Sequence, residues 1–289
     1  MHIHRQIPIA IERYLFSAAI VILLVLLYAP LLIHWYDGWL HKTIGIEHEY
    51  FSHGLISLPY ALYIAWIHRE PWRKLPNSSH PLGAFLLAIA GVFYLSRLSD
   101  LVNLSFPLIL TGICLSLKGI PGFKLQRIAL LFVLLVTPNY IPYLIEPYAL
   151  PLQHFIATIA GFILTQLGLD VTVENIYLYV RGTIVEVAPH CAGLKMLFTS
   201  LYVSLMLLHW TGVWSDRNKS ILFLAIAIVA SISSNILRNT LLTLFHGTGR
   251  EKAFEWLHAG WGGDLYSACV LGILVLILNG MEKYLPSKS

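Results

Sequence analysis

Long stretches of this chain are apolar without interruption and recur with short polar connections between them. Runs near 15–34, 52–68, 81–99, 101–117, 128–145, 191–210, 220–241 and 264–281 approach the roughly 20 residues that a helix needs to cross a bilayer core. The pattern predicts an all-α, polytopic membrane protein, a bundle of about eight transmembrane helices. A single integral membrane domain is expected over 1–289, with N-terminal helices in 1–148 and the chemistry-bearing region in 149–289. The first run is expected to remain as an anchor. It exceeds the ~7–15 residue core of a cleavable signal, and Trp35, Tyr36 and Asp37 follow it where small residues would be needed.

Two segments depart from this pattern. Residues 149–168 are apolar but carry Gln153, His154, Thr158, Gly161, Thr165 and Gln166 at helical spacing, which makes one polar stripe. An amphipathic helix at the membrane interface, or a re-entrant helix packed on the bundle, fits this run better than a lipid-exposed span. Residues 170–188 alternate instead, with Val171, Val173, Ile176, Leu178, Val180, Ile184, Val185 and Val187 apolar around Arg181-Gly182. That alternation predicts a short β-hairpin.

Composition agrees with the membrane reading: 12% of residues are charged and 57% hydrophobic, against about 25% charged in soluble domains. The net charge of +4 calls for no nucleic acid, because Lys and Arg flanking the apolar runs account for it; the partner implied is the lipid bilayer. Arg5, Arg13, Arg69, Arg73, Lys74, Lys118, Lys124 and Arg127 fall on one side of the N-terminal spans, against Lys42 and Arg97 on the other. The N-terminus is therefore expected in the cytoplasm. In the C-terminal half the charges do not decide whether 149–168 spans. With eight spans, the C-terminus is cytoplasmic and the hairpin and residue 191 face outward from a plasma (inner) membrane.

Among the candidate reactive groups, Cys191 follows the hairpin and lies just past Pro189, at the start of an apolar helix. Proline suits a first helical turn because its missing N–H would have no partner there. A thiol at that place is acidified by unpaired N–H groups and the helix dipole. Cys114 and Cys269 sit inside apolar runs and read as packing residues. With no Cys-x-x-Cys, neither a disulfide framework nor structural zinc is expected. His53, His190, His246 and His258 lack the paired spacing of a helical zinc motif, so no metal or cofactor is expected.

Ser231, Ser234, Asn235 and Arg238 share one face of the next helix. An arginine there can snorkel to the interface or face a polar interior. The connection 245–263 carries His246 and His258. A thiol, an imidazole and a guanidinium supply a nucleophile, a proton carrier and an oxyanion partner for acyl transfer.

Together these residues resemble the exosortase/archaeosortase family of membrane-embedded cysteine proteases or transpeptidases. The likeness is carried by Phe51-Ser-His-Gly54, Pro151-Leu-Gln153, His190-Cys-Ala-Gly193, Asn235-Ile-Leu-Arg238, and His258 with Gly262. Ala192 departs from it, since the family commonly has Ser there. The resemblance implies catalytic roles for Cys191, Arg238 and His258. It further implies exported protein substrates with a C-terminal sorting tail: a short Pro-Glu-Pro-like motif, a transmembrane helix and a basic cluster. Candidate substrate-binding residues are His53, Arg181, Lys195 and Asn235. Arg181 or Lys195 would read an acidic residue in the motif, and His53 would line the cavity or only cap a helix. Two other readings stay open: a membrane thiol-dependent acyltransferase, and a transporter with Arg238 and His258 lining its path.

Overall fold

The computed structural model describes residues 6–40, 50–188 and 193–284. Pro189, His190, Cys191 and Ala192 lie outside the described residues, and the expected nucleophile with them. The chain divides into two compact units, Met1–Asn139 and Tyr140–Ser289.

The first unit is built from α1 (Gln6–Leu40), α2 (Gly54–Ile67), the short α3 (Arg69–Lys74), α4 (Pro81–Leu95) and α5 (Ser99–Val136). The expected run 101–117 and the first half of 128–145 are joined in α5, which breaks at Gly119 (φ 59°, ψ −153°), a conformation open to glycine alone. Polar side chains close on one another inside this unit. The Tyr28 and Ser105 hydroxyls are 2.9 Å apart, and Trp35 Nε1 donates to Asn103 Oδ1 at 2.8 Å. Buried Lys118 donates from Nζ to Leu75 O at 2.6 Å and to Asn77 Oδ1 at 2.8 Å, clipping the α3–α4 connection beside the break.

In the second unit α6 (Ile141–Ile145) and a 3₁₀ turn (Glu146–Ala149) lead into α7 (Leu150–Gln166). Three antiparallel strands follow, β1 (Val171–Glu174), β2 (Tyr177–Val180) and β3 (Thr183–Glu186), in the order β1-β2-β3. The sheet is thus a meander with two turns, where one hairpin was expected. Arg181 (φ 48°) and Gly182 (φ 85°) close β2–β3, and Asn175 (φ 54°) opens the additional turn between β1 and β2. Asparagine tolerates that left-handed geometry better than most residues. Then come α8 (Leu194–Thr211), α9 (Arg217–Gly247), α10 (Glu251–His258) and α11 (Trp261–Tyr284). The expected loop 245–263 is therefore largely helical.

Among the described residues, five helical stretches are long and apolar enough to cross a membrane: Ala18–Leu40, Ser99–Val136, Pro147–Gln166, Arg217–Gly247 and Trp261–Tyr284. Two shorter apolar helices, Gly54–Ile67 and Pro81–Leu95, accompany them. This is a multi-pass membrane protein, with five stretches of that length among the described residues against the eight spans expected.

The segment expected at the interface is among the five. Its expected polar stripe is also divided: His154, Thr158, Thr165 and Gln166 are exposed, whereas Gln153 and Gly161 are buried. The reason lies in its packing. Ile156, Ala157, Ala160 and Leu164 of α7 form one core with Leu178 and Val187, flanked by Val171, Val173, Ile236 and Leu244. A Cβ at Gly161 would collide with Val173, so the absent side chain lets β1 sit on the helix.

Candidate active site

The α9 helix has 31 residues and is about 46 Å long at ~1.5 Å per residue, well beyond the ~30 Å of a hydrocarbon core. The α7–sheet core reaches it at Ile236 and Leu244, in its C-terminal half. From Arg217 to Asn235 the helix rises about 27 Å, close to one core thickness. Asn235 and Arg238 therefore stand where α9 passes from the part packed against α8 and α11 into the part flanked by the sheet.

Asn235 is 2% exposed. A Cβ placed on Gly193 would lie 2.6 Å from Asn235 Cγ and 2.7 Å from its Nδ2. Gly193 itself caps α8 at φ 81°, ψ 12°. Both the missing side chain and the left-handed backbone require glycine, which gives the last residue of His190-Cys-Ala-Gly193 a steric reason. Lys195, half-buried, follows in the first turn of α8.

Arg238 is one turn beyond Asn235 on the same face of α9. Its Nε is buried with no hydrogen-bond partner among the described residues. A Cβ on Gly263 would be 3.8 Å from Arg238 Nη2, so the guanidinium lies beside the first turn of α11. Tyr266, in the next turn, ties α11 to α9 by donating its hydroxyl proton to Ser234 O at 2.5 Å. This contact was not foreseen, because a lone Tyr in an apolar run gives no sign of its partner.

His258 ends α10, exposed, with its ring stacked on Phe254 at 5.1 Å and 9°. Phe254 also meets His246 at 5.0 Å, so one aromatic ring separates the two histidines. His246 sits in the last turn of α9, its Nδ1 3.2 Å from Glu251 Oε1.

Gln153, 2% exposed, donates from Nε2 to Val187 O at 2.8 Å. It thereby joins the Pro151-Leu-Gln153 segment to the end of the sheet from which the chain runs to Cys191.

Arg181 occupies the opposite end of β3, in the exposed β2–β3 turn. The neighbouring Val180 packs against Gly247, where a Cβ would be 2.5 Å from Val180 Cγ1. Asn235 and Gly247 are separated by about 18 Å along α9, so Arg181 is drawn away from the level of Asn235. His53 belongs to the first unit, buried before α2 with its ring 6.1 Å from that of Phe51. The adjacent Gly54 lies flat against the Trp39 indole, the steric basis of the Ser-His-Gly motif. Among the described residues no three of His, Cys, Asp and Glu are grouped to hold a metal ion.

Neither the comparison with curated proteins nor that with solved structures gives a match. A family model described as transmembrane exosortase matches residues 35–275, a span that includes every motif discussed above. The chain belongs to the transmembrane exosortase family.

Proposed function

We propose that this protein is a membrane-embedded cysteine protease or transpeptidase that removes the C-terminal sorting tail of exported proteins through a thioacyl-enzyme. The Cys191 thiolate attacks the scissile carbonyl carbon, and the negative charge formed on the carbonyl oxygen is held by Arg238. The C–N bond then breaks and His258 gives its proton to the departing amine. Water or an acceptor amine attacks the thioester, transferring a proton to His258 and releasing the thiolate.

The observation that carries this reading is the seat of Gly193 on Asn235, one turn from Arg238. Two residues of extended chain reach at most about 7 Å, so covalent connection alone keeps Cys191 close to that seat. The length of α9 supports a site at a membrane boundary, where a tail helix held among the spans would present its motif. The outer face of an inner membrane is the side that fits an exported substrate. Lys195 and Asn235 are the nearest of the suggested substrate-binding groups. His53 and Arg181 enter the reading as more remote candidates.

The test uses a reporter carrying a Pro-Glu-Pro-like motif, an apolar helix and a basic end, produced with the full-length protein in membranes. Cys191→Ala is expected to abolish tail removal with membrane insertion intact, while Cys114→Ala and Cys269→Ala process normally. Equal loss from all three substitutions would remove the nucleophile assignment.

A further inference from the structure

Val187 is held from three directions at the point where the chain leaves the sheet. Its N–H donates to Ile176 O at 2.9 Å, and its carbonyl accepts from Gln153 Nε2 at 2.8 Å. Its side chain is wholly buried in the core between α7 and the sheet. Six residues on, Gly193 rests against Asn235. Val187 and Gly193 are thus two fixed posts with Cys191 between them in sequence, and only Gln153 supplies a side-chain hydrogen bond to the first of them among the described residues.

We propose that Gln153 is a positioning residue for the reaction, acting through Val187 to set where the Cys191 segment begins and so how the thiol meets Arg238. The inference rests on the reading of Cys191 as nucleophile. A buried amide in an apolar helix face is unfavourable unless it is paired, and a role in docking α7 alone would not require one. Ile156, Ala157, Ala160 and Leu164, all fully buried, already bind that helix to the sheet. The amide adds direction: it fixes a backbone carbonyl four residues before the thiol.

Two substitutions separate positioning from packing. Gln153→Met keeps the length of the side chain and removes the donor. Gln153→Glu puts an acceptor against the Val187 carbonyl when ionised, and restores an O–H donor when protonated. Burial disfavours the charged form of a carboxyl group, so the neutral donor gains as pH falls.

Full-length protein with Cys114→Ala and Cys269→Ala is assayed in membranes for the alkylation rate of Cys191 by iodoacetamide, for processing of the tailed reporter, and for thermal unfolding. With Gln153→Met, turnover should fall by roughly 10- to 100-fold, the range that a small misplacement produces. KM and the unfolding midpoint should stay near wild type, and the alkylation rate of Cys191 should change several-fold. For Gln153→Glu, the deficit relative to wild type should be deepest near about pH 8 and shrink toward about pH 6.

Unchanged alkylation and processing in Gln153→Met would overturn the proposal, as would a loss that only follows the fraction of unfolded protein. The alkylation readout needs no turnover, so its outcome is separate from the processing test of Cys191→Ala, on which the nucleophile reading stands or falls.

Discussion

The paired clusters around Tyr28, Trp35 and Lys118 and the Arg238 face of α9 bury polar groups in opposite ways, although the first unit also buries Trp39 Nε1, His68 Nδ1 and Gln126 Oε1 with no hydrogen-bond partner among the described residues. In the first unit Tyr28 meets Ser105, Trp35 meets Asn103, and Lys118 fills its contacts with Leu75 O and Asn77. On α9, Ser231 Oγ and Arg238 Nε are buried with no hydrogen-bond partner among the described residues. A polar atom shielded from water normally finds a partner, and one left open is unfavourable. Closed pairs between helices serve packing and register. Open ones, set beside a steric seat such as Gly193 on Asn235, suit a surface that completes its contacts with a substrate. On this view the first unit is scaffold where its polar groups are paired, and the α9 face is the proposed seat of the chemistry.

The sharpest way to break the contrast is His258→Ala, which should slow processing by about 10² to 10⁴ if the imidazole transfers a proton; a rate within a few-fold of wild type would remove His258 from the reaction. Next comes Arg238→Lys. A lysine keeps the charge but loses the paired donors of the guanidinium, and the expected fall is roughly 10²- to 10³-fold, comparable to the loss of an oxyanion donor. The matching change in the scaffold is Trp35→Phe, which orphans Asn103 and should lower stability by about 1–3 kcal/mol while leaving the rate per folded molecule unchanged. If Trp35→Phe reduced that rate as much as Arg238→Lys, the division between scaffold and chemistry would collapse.

Gly193→Ala should come lower in the series, at roughly tenfold in rate, because a left-handed non-glycine residue costs about 1–2 kcal/mol even after Asn235 shifts. Combining it with Asn235→Ala removes the collision and leaves the backbone strain, so recovery should be partial; complete recovery would show that sterics alone set the position. The smallest effect is expected from His246→Ala. Its contact with Glu251 is a partly exposed pair, of the kind worth about 0–1 kcal/mol, and processing should stay close to wild type.

The order of the site's parts along the chain was legible in the sequence because local constraints write it there. Gly193 must be glycine where it stands, Asn235 and Arg238 repeat at helical spacing, and the alternation in 170–188 gives the strands. The role of Gln153 was not legible. As part of a stripe with His154 and Thr158 it looks solvent-facing, and its partner is a backbone carbonyl 34 positions away, which no periodicity encodes. Lys118 reads only as a membrane-flanking charge, and its contacts as a buried clip on the α3–α4 connection were not legible either. Hydropathy marks apolar runs without marking where a helix stops, so the expected number of spans differs from the five stretches of that length among the described residues. Thus α2 and α4 end after 14 and 15 residues, and the run 101–117 shares α5 with the first half of 128–145 across the break at Gly119. Asn175 hid the additional sheet turn, since a single left-handed asparagine between apolar positions is a weak signal beside Arg181-Gly182.

The central claim is that the thiol beside Gly193 becomes covalently attached to substrate while Arg238 and His258 act on the same bond. The most direct measurement is mass spectrometry of the full-length protein, quenched in acid during processing of the tailed reporter. The account predicts a hydroxylamine-labile adduct on the peptide containing Cys191, its mass equal to the reporter portion ahead of the cleaved bond joined through a thioester. Product formation with the adduct on Cys114 or Cys269, or with Cys191 unmodified throughout turnover, would contradict it.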